Sequence, residues 1–546
     1  MRIDCAHESP EAATADVAIV GSGAAGQAAA RRALARGCSV LLIESGGADY
    51  EAATADLNRG EIIGQHYHPL EHSRLRFFGG TTAIWGGRCA DLDDIDFERR
   101  DWVDHSGWPI GPQDIASYVE EAHGLLGVDS VRPEHLEASP PIDQLTGGEL
   151  EVRWWKFDPL FDRFTIDRAA DLESHPRCTL IVHATVREIV LCRDSGTIER
   201  LDVRTPEGKR IDIRARHYIL AAGGIENPRI LLNSNSVAGN GVGNDHDLVG
   251  RFFMEHPHAR GGRIVGGADW RWLKAFARRR IGEIEVSPTL TPSVDLQRKD
   301  GLLNSSVTVA VRPPADGTHA LPKRAYLHVR HRTAPTRAGR GLWKATRRAV
   351  RAYTEMAGPL HPWLLKRVRG LDLALVIRAE QAPNRNSRVM LGNQVDATGM
   401  RRVALDWRLS PIDVDSIAGL IGALGREARR LGMGSVEPAK WLSDPAKKWV
   451  TDDLISAHPL GGFHHMGTTR MASDPRHGVT DGWGRVYGIH NLHIAGSSLF
   501  PTGGWANPTL TLVALALRTA DRVADEIQSV ASPSGISRQD ALGTTG

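Results

Sequence analysis

The 546-residue chain is short of several things, and each shortage excludes a class of protein. It has five cysteines, Cys5, Cys38, Cys89, Cys178 and Cys192, and no two of them form a C-x-x-C pair. Such scatter argues against a zinc site, an attached haem or a disulfide framework, and it fits a reducing compartment. No apolar run reaches the roughly 18 residues that a membrane-spanning helix needs. The opening stretch MRIDCAHESPEAATADVAIVGSG is polar and lacks the basic-then-apolar order of a secretory signal, so a cytoplasmic location is expected. The net charge is only +2, so the whole molecule has no polyanion signature and no nucleic-acid partner is expected. What remains, 41% apolar and 24% charged residues, is an ordinary globular balance with enough chain for two domains.

Near-neutrality hides an asymmetry. Residues 271–370 hold 21 Lys and Arg against 6 Asp and Glu. Within them GLWKATRRAVRAYTEMA sets Leu342, Trp343, Thr346, Val350, Tyr353 and Ala357 at helical spacing, with Arg347, Arg348 and Arg351 interleaved. A basic amphipathic helix can lie on an anionic membrane or dock a partner protein, and it can equally be a surface helix with solvated arginines.

Along the chain, DVAIV (16–20) is a short apolar run bounded by glycine, as a buried parallel strand would be. GSGAAG follows, then the helical QAAARRALARG and a second apolar strand, SVLLIE (39–44). Residues 72–108 are rich in Gly and Trp. The runs TLIVHATVREIVLC, IERLDVRTP and KRIDIRARHYILAAGG predict antiparallel hairpins and a return strand into the main sheet. The C-terminal part reads strand (NLHIAGSS), loop (LFPTGGWANP) and helix (TLTLVALALRTADRVADEI), with a loose tail over 531–546.

Three segments carry chemistry. In Gly21-Ser-Gly23-Ala24-Ala25-Gly26, set between strand and helix, Gly21 permits the tight turn, Gly23 admits a pyrophosphate and Gly26 allows close helix–strand packing. Phosphates then sit on the helix N-terminus, where free N–H groups and the dipole favour negative charge. Glu44, ending the second strand, suits the ribose hydroxyls and would repel a 2′-phosphate. The unit alone does not separate FAD from NAD. FGGTTAIWGG (78–87) lets main chain run close to a flat or charged ligand, and composition alone leaves a mobile surface loop equally open. GGFHHMGTTRM (461–471) and PTGGWANPTLT (501–511) place His464 43 residues before Asn507. A near-neutral imidazole suits proton abstraction from an alcohol, with an amide to hold the oxygen, and a structural histidine is the plainer alternative.

These segments, with ILAAGGIENPRILL (219–232) and GRFFMEHP (250–257), occur in an order that resembles the glucose–methanol–choline (GMC) family of FAD-dependent oxidoreductases. The likeness spans 17–528, is weakest over 260–370, and is nearest to the sugar-oxidising, pyranose oxidase-like branch. It implies an α/β chain: a Rossmann-type FAD-binding domain with a β-meander (12–255 and 485–530, with 72–170 partly cap or substrate elements), and a discontinuous α+β substrate domain with an antiparallel sheet (256–484). It further implies His464 as the base and Asn507 as its partner, with hydride passing to flavin N5. Adjacent residues of an extended segment face opposite ways, so His464 is expected to face the flavin, with His465 its neighbour. The resemblance carries cofactor contacts onto Gly21, Gly23, Ala24, Ala25, Gly26 and Glu44, onto Gly79, Gly80, Thr81, Thr82 and Trp85 along the flavin, and onto Val186 near the adenine. Ala222, Gly223, Gly496, Pro508 and Thr509 complete that set. Two departures stand out. Pyranose oxidases tether FAD through a His where this chain has Ile84, so noncovalent FAD is expected, and a common Asp is replaced by Ala495.

The reaction so implied is oxidation of an alcohol, expected to be a secondary hydroxyl of a sugar or glycoside, to a carbonyl, with oxygen, a quinone or a redox protein as electron acceptor. Glu380 and Gln381 are candidates to bond a polyol, Trp505 to stack on a sugar face, and His465 to touch substrate. His256 and His258 lie two apart, as metal ligands might, but no carboxylate or cysteine cluster completes a site, so no metal is expected. The alternatives are a dehydrogenase subunit of a membrane-associated electron-transfer assembly, with 271–370 docking a membrane or partner, and a GMC-like flavoprotein acting on a steroid, polyol or antibiotic precursor or as a lyase.

Overall fold

The computed structural model describes residues 1–131, 136, 142–146, 148–160, 162–315 and 335–531. The tail expected over 531–546 lies, but for Ala531, outside these residues.

Two large sheets organise the chain. In the first, strands Ala12–Val20, Val40–Ile43, Cys178–Val182 and Arg2–Asp4 run parallel on one side. Strand Arg210–Leu220 lies parallel to Ala12–Val20 on the other side, and Leu492–Ile494 adds to its C-terminal half. The near-continuous apolar runs have their cause here: Val17, Ala18, Ile19, Leu41 and Leu42 are buried because both faces of the sheet are covered. Ile198–Arg204 and Thr185–Leu191 extend the edge as an antiparallel meander. One expectation is corrected. TLIVHATVREIVLC is not a hairpin: its first half pairs parallel with Val40–Ile43, and the chain turns at His183, where φ is 54°. The second half begins the meander.

Helix Ala24–Ala35 packs between this sheet and the C-terminal helix Thr509–Ala531. Both helices are rich in small residues here, with Ala25, Ala28, Ala29 and Ala33 of the first and Ala516, Ala520 and Ala524 of the second in one buried cluster, so the helices can lie close. The second sheet is antiparallel throughout, in the order Ser435–Pro438, His258–Val265, Asp372–Arg378, Ser306–Arg312, Ile284–Pro292, Leu150–Phe157, Arg88–Cys89. Helix Pro411–Arg430 buries Val414, Ile417, Leu420, Ile421 and Leu424 against it. Strands Arg88–Cys89 and Leu150–Phe157 therefore belong to this sheet although they precede residue 256. Among the described residues no helix is long and apolar enough to cross a membrane.

The tightest local constraint is at Gly26, where a Cβ would lie 1.8 Å from the Gly21 carbonyl oxygen. Gly26→Ala is expected to cost at least the upper end of the roughly 1–3 kcal/mol typical of overpacking, read as a lower denaturant midpoint. An unchanged midpoint would show that the helix draws back freely.

Candidate active site

A cavity of about 400 Å³ opens where the loops after the parallel strands meet the second sheet. It is lined by Gly21, Gly23, Ala24, Ala25 and Glu44, and by Val186, Ala222 and Gly223. Gly80, Thr81, Thr82 and Trp85 line it too, as do Gly496, Pro508 and Thr509, the last at the start of the C-terminal helix. His464, His465 and Asn507 border the same space. Two candidates stand behind the wall: Gly26 serves packing, and Gly79 has no room for a Cβ, which would sit 2.4 Å from the Phe164 carbonyl oxygen.

The wall suits a dinucleotide. A Cβ on Gly23 would meet nothing within 4 Å, so that glycine faces open cavity, unlike Gly26. Glu44 is fixed by the Ser22 hydroxyl at 2.6 Å and the Gly46 N–H at 3.0 Å, which leaves lone pairs for ribose hydroxyls. Among the described residues the Trp85 indole N–H, buried at the cavity, has no partner and is a donor awaiting an acceptor. Ile84 and Ala495 also line the cavity, and neither offers a nucleophile or a hydrogen bond. These residues fit FAD.

The reactive end is built from three separate stretches. Residues 254–257 and 461–466 run antiparallel through the bridges Met254–Met466 and Pro257–Gly461. Buried Glu255 ties them together by accepting the N–H groups of His256 (2.8 Å), Gly462 (3.1 Å) and His464 (2.8 Å). It also accepts the Tyr67 hydroxyl at 2.6 Å. Phe463, with φ 60°, breaks the extended path. His464 and His465 both border the cavity, contrary to simple alternation.

The hydrogen bonds fix the proton positions. His256 Nε2 lies 2.8 Å from the Gly504 carbonyl oxygen, which can only accept, so that nitrogen carries the proton. Burial holds His256 below histidine's ordinary pKa, so its Nδ1 is a bare acceptor. His464 Nδ1, 2.7 Å away, must therefore donate to it, which leaves His464 Nε2 with a lone pair. The Asn507 amide NH₂ donates to that lone pair at 3.0 Å, and the reverse amide orientation would set two lone pairs face to face. Burial, then the neighbouring His256, His258, His465 and Arg88, hold His464 well below its ordinary value, so the ring is neutral near pH 7. His465 is committed elsewhere. Tyr67 gives its single proton to Glu255, so His465 Nε2–H donates to the phenol oxygen at 2.9 Å, and burial lowers its pKa to about 3.

Three substrate candidates are corrected. Glu380 is fully buried in a bidentate pair with Arg100 (2.8 and 2.6 Å) and takes the N–H groups of Asn304 and Gly504. Against the cost of burial, Arg100 holds its carboxyl below the ordinary range. Gln381 is buried between Glu255 N–H, Trp407 Nε1 and the Arg408 carbonyl. Trp505 packs edge-on against Trp155 and donates to Asp93 at 3.0 Å. None of the three borders the cavity, because each has a polar partner inside the fold. His256, in contrast, touches His464 directly. His256 and His258, two apart, turn to different partners: His256 Nδ1 meets His464 Nδ1, whereas His258 Nδ1–H is given to the His458 carbonyl at 2.6 Å.

Comparison with known proteins agrees with this architecture. Residues 383–516 match the GMC oxidoreductase family and residues 16–235 the FAD-dependent oxidoreductases. The chain is 24% identical to the paromamine 6'-oxidase of Streptomyces fradiae, across 94% of this chain and 92% of that one. A C-glycoside 3-oxidase of Microbacterium trichothecenolyticum is 36% identical over 25% of this chain and 24% of its own. Among solved structures, the formate oxidase of Aspergillus oryzae RIB40 superposes with a TM-score of 0.53 at 16% identity, across 96% of this chain and 100% of that one.

Proposed function

We propose that this chain, which belongs to the GMC oxidoreductases and takes FAD as its cofactor, oxidises a secondary hydroxyl of a sugar or glycoside to a carbonyl, with His464 as base. The observation that carries the reading is the single lone pair of His464 Nε2, presented at the cavity by a fixed tautomer and shared with Asn507. A relative named as a C-glycoside 3-oxidase supports the glycoside class.

An alcohol at this spot takes the place of the Asn507 amide on His464 Nε2. Its O–H donates to the lone pair, and the released amide N–H turns to the carbinol oxygen. His464 then accepts the hydroxyl proton, while its Nδ1–H stays on His256. Asn507 stabilises the negative charge that grows on the oxygen. Bound FAD supplies the two-electron acceptor for the hydride that leaves the carbinol carbon. Burial favours the neutral imidazole, so the base survives to lower pH than a free histidine would.

A second reading has an observation of its own. Helix Arg337–Ala357 is pinned to the body: Lys344 pairs with Asp162, Arg340 with Asp49, and Arg347 donates to the Gly86 carbonyl at 2.9 Å. Arg347 is therefore not simply solvated. The apolar stripe instead faces outward, with Leu342 73% and Met356 82% exposed, and Val368 of helix Leu360–Arg369 80% exposed. Such a stripe among basic residues suits the surface of an anionic membrane, and it would place the reduced enzyme near a membrane-borne electron acceptor.

His464→Ala is expected to keep FAD and to slow anaerobic flavin bleaching by the active sugar by about 10²–10⁴-fold. In the wild-type enzyme the acid limb of kcat/KM should fall below about pH 6.5, the ordinary imidazole value. Bleaching by the variant at the wild-type rate contradicts the base assignment. For the second reading, the protein should sediment with phosphatidylglycerol vesicles, and a variant carrying Leu342→Ser, Met356→Ser and Val368→Ser should not. Failure of the wild-type protein to sediment removes that reading.

A further inference from the structure

The chemistry at His464 leaves two arginines of the cavity wall unaccounted for. Arg88 and Arg378 both line it, and both lie against Trp155, with guanidinium carbons 5.5 and 5.0 Å from the ring centre. Arg88 also lies 5.4 Å from the ring of Phe157. Aromatic faces favour a guanidinium but do not neutralise it. Among the described residues neither arginine forms an ion pair. Within that same set Arg88 Nε is buried without a partner, and the Arg378 guanidinium donates to the Thr308 hydroxyl at 3.3 Å. Glu285, the carboxylate that acts electrostatically on Arg88, is already taken by Arg278.

This arrangement is costly as it stands. A guanidinium removed from water needs a counter-charge, and two facing the same space repel each other. Burial, then the neighbouring Arg378, Arg278 and Arg347, pull Arg88 well below arginine's ordinary value. Burial with Arg312 and Arg278 lowers Arg378 to about 10. An anion bound between the two relieves both penalties. Arginine's planar fork matches a carboxylate or a phosphate with paired hydrogen bonds. Gly21 and Gly23, the diphosphate cradle, line the same cavity, and Arg88 is near enough to His464 to depress its pKa.

We propose that Arg88 and Arg378 form an anion subsite beside the reactive end, so that the alcohol oxidised at His464 carries a carboxylate or phosphate group. The subsite rests on the proposed function only for where the oxidised hydroxyl sits. A substrate presenting a protonated amine at this end would meet two like charges.

The FAD-loaded enzyme is titrated with benzoate and, separately, with inorganic phosphate at constant ionic strength, following the flavin absorption spectrum. Saturable perturbation by either anion is expected, at least tenfold weaker in Arg88→Gln or Arg378→Gln, absent in the double variant and partly restored in Arg88→Lys. The anion that binds tells carboxylate from phosphate recognition. No saturable change with either, or equal affinity in the double variant, overturns the subsite, as does a loss of FAD content with anion affinity unchanged. A second arm compares anaerobic bleaching by phenyl β-D-glucuronide and phenyl β-D-glucoside. At least a tenfold preference for the glucuronide, lost in the double variant, supports the proposal. Equal bleaching by both overturns it while leaving the role of His464 standing. Bleaching by neither counts against the sugar substrate, and the titration then decides the subsite alone.

Discussion

The arrangement at the reactive end depends on one carbonyl group. Because the Gly504 oxygen can only accept, it dictates which nitrogen of His256 is protonated, and through His256 which nitrogen of His464 is bare. Had the first bond gone to a hydroxyl, both imidazoles could exchange tautomers and Nε2 of His464 would be a base only part of the time. The carbonyl is itself held in place. Gly504 donates its N–H to Glu380, which is locked by Arg100, and a Cβ on Gly504 would strike the Asp96 carboxylate 2.3 Å away. A buried ion pair of this kind adds little net stability, and its value is in fixing geometry.

The fold brings these groups together from far apart in sequence. His256 lies just after the Rossmann half, His464 in the loop region that follows the second sheet, and Gly504 and Asn507 in the loop before the C-terminal helix. Glu255 gathers the first two stretches with one carboxylate, and Gln381 holds the main chain of Glu255 in turn. The C-terminal helix packs on helix Ala24–Ala35, so the same alanine contact that closes the dinucleotide end sets the position of Asn507, Pro508 and Thr509. Cofactor end and reactive end thus share one rigid support.

Much of this was legible in the chain itself. The glycine pattern, its flanking strands and Glu44 identify the dinucleotide cradle because each acts within thirty residues of the others. His464 and Asn507 can be named from their segments, although the partner that sets the tautomer, 208 residues from His464, leaves no local mark. Glu380, Gln381 and Trp505 look like substrate residues in sequence since their partners Arg100, Glu255 and Asp93 are 280, 126 and 412 residues away. Periodicity finds helix Arg337–Ala357 but does not say which face is covered, and the apolar stripe turned out to face outward. Arg88 sits just beyond the FGGTTAIWGG loop, where nothing local distinguishes a cavity arginine from a surface one.

The central claim is the location of one proton, and neutron diffraction from a deuterium-exchanged crystal of the holoenzyme tests it most directly. The account predicts deuterium on His256 Nε2 and on His464 Nδ1, with none on His464 Nε2. Deuterium on His464 Nε2 would contradict it, because a ring protonated there has no lone pair to offer an alcohol.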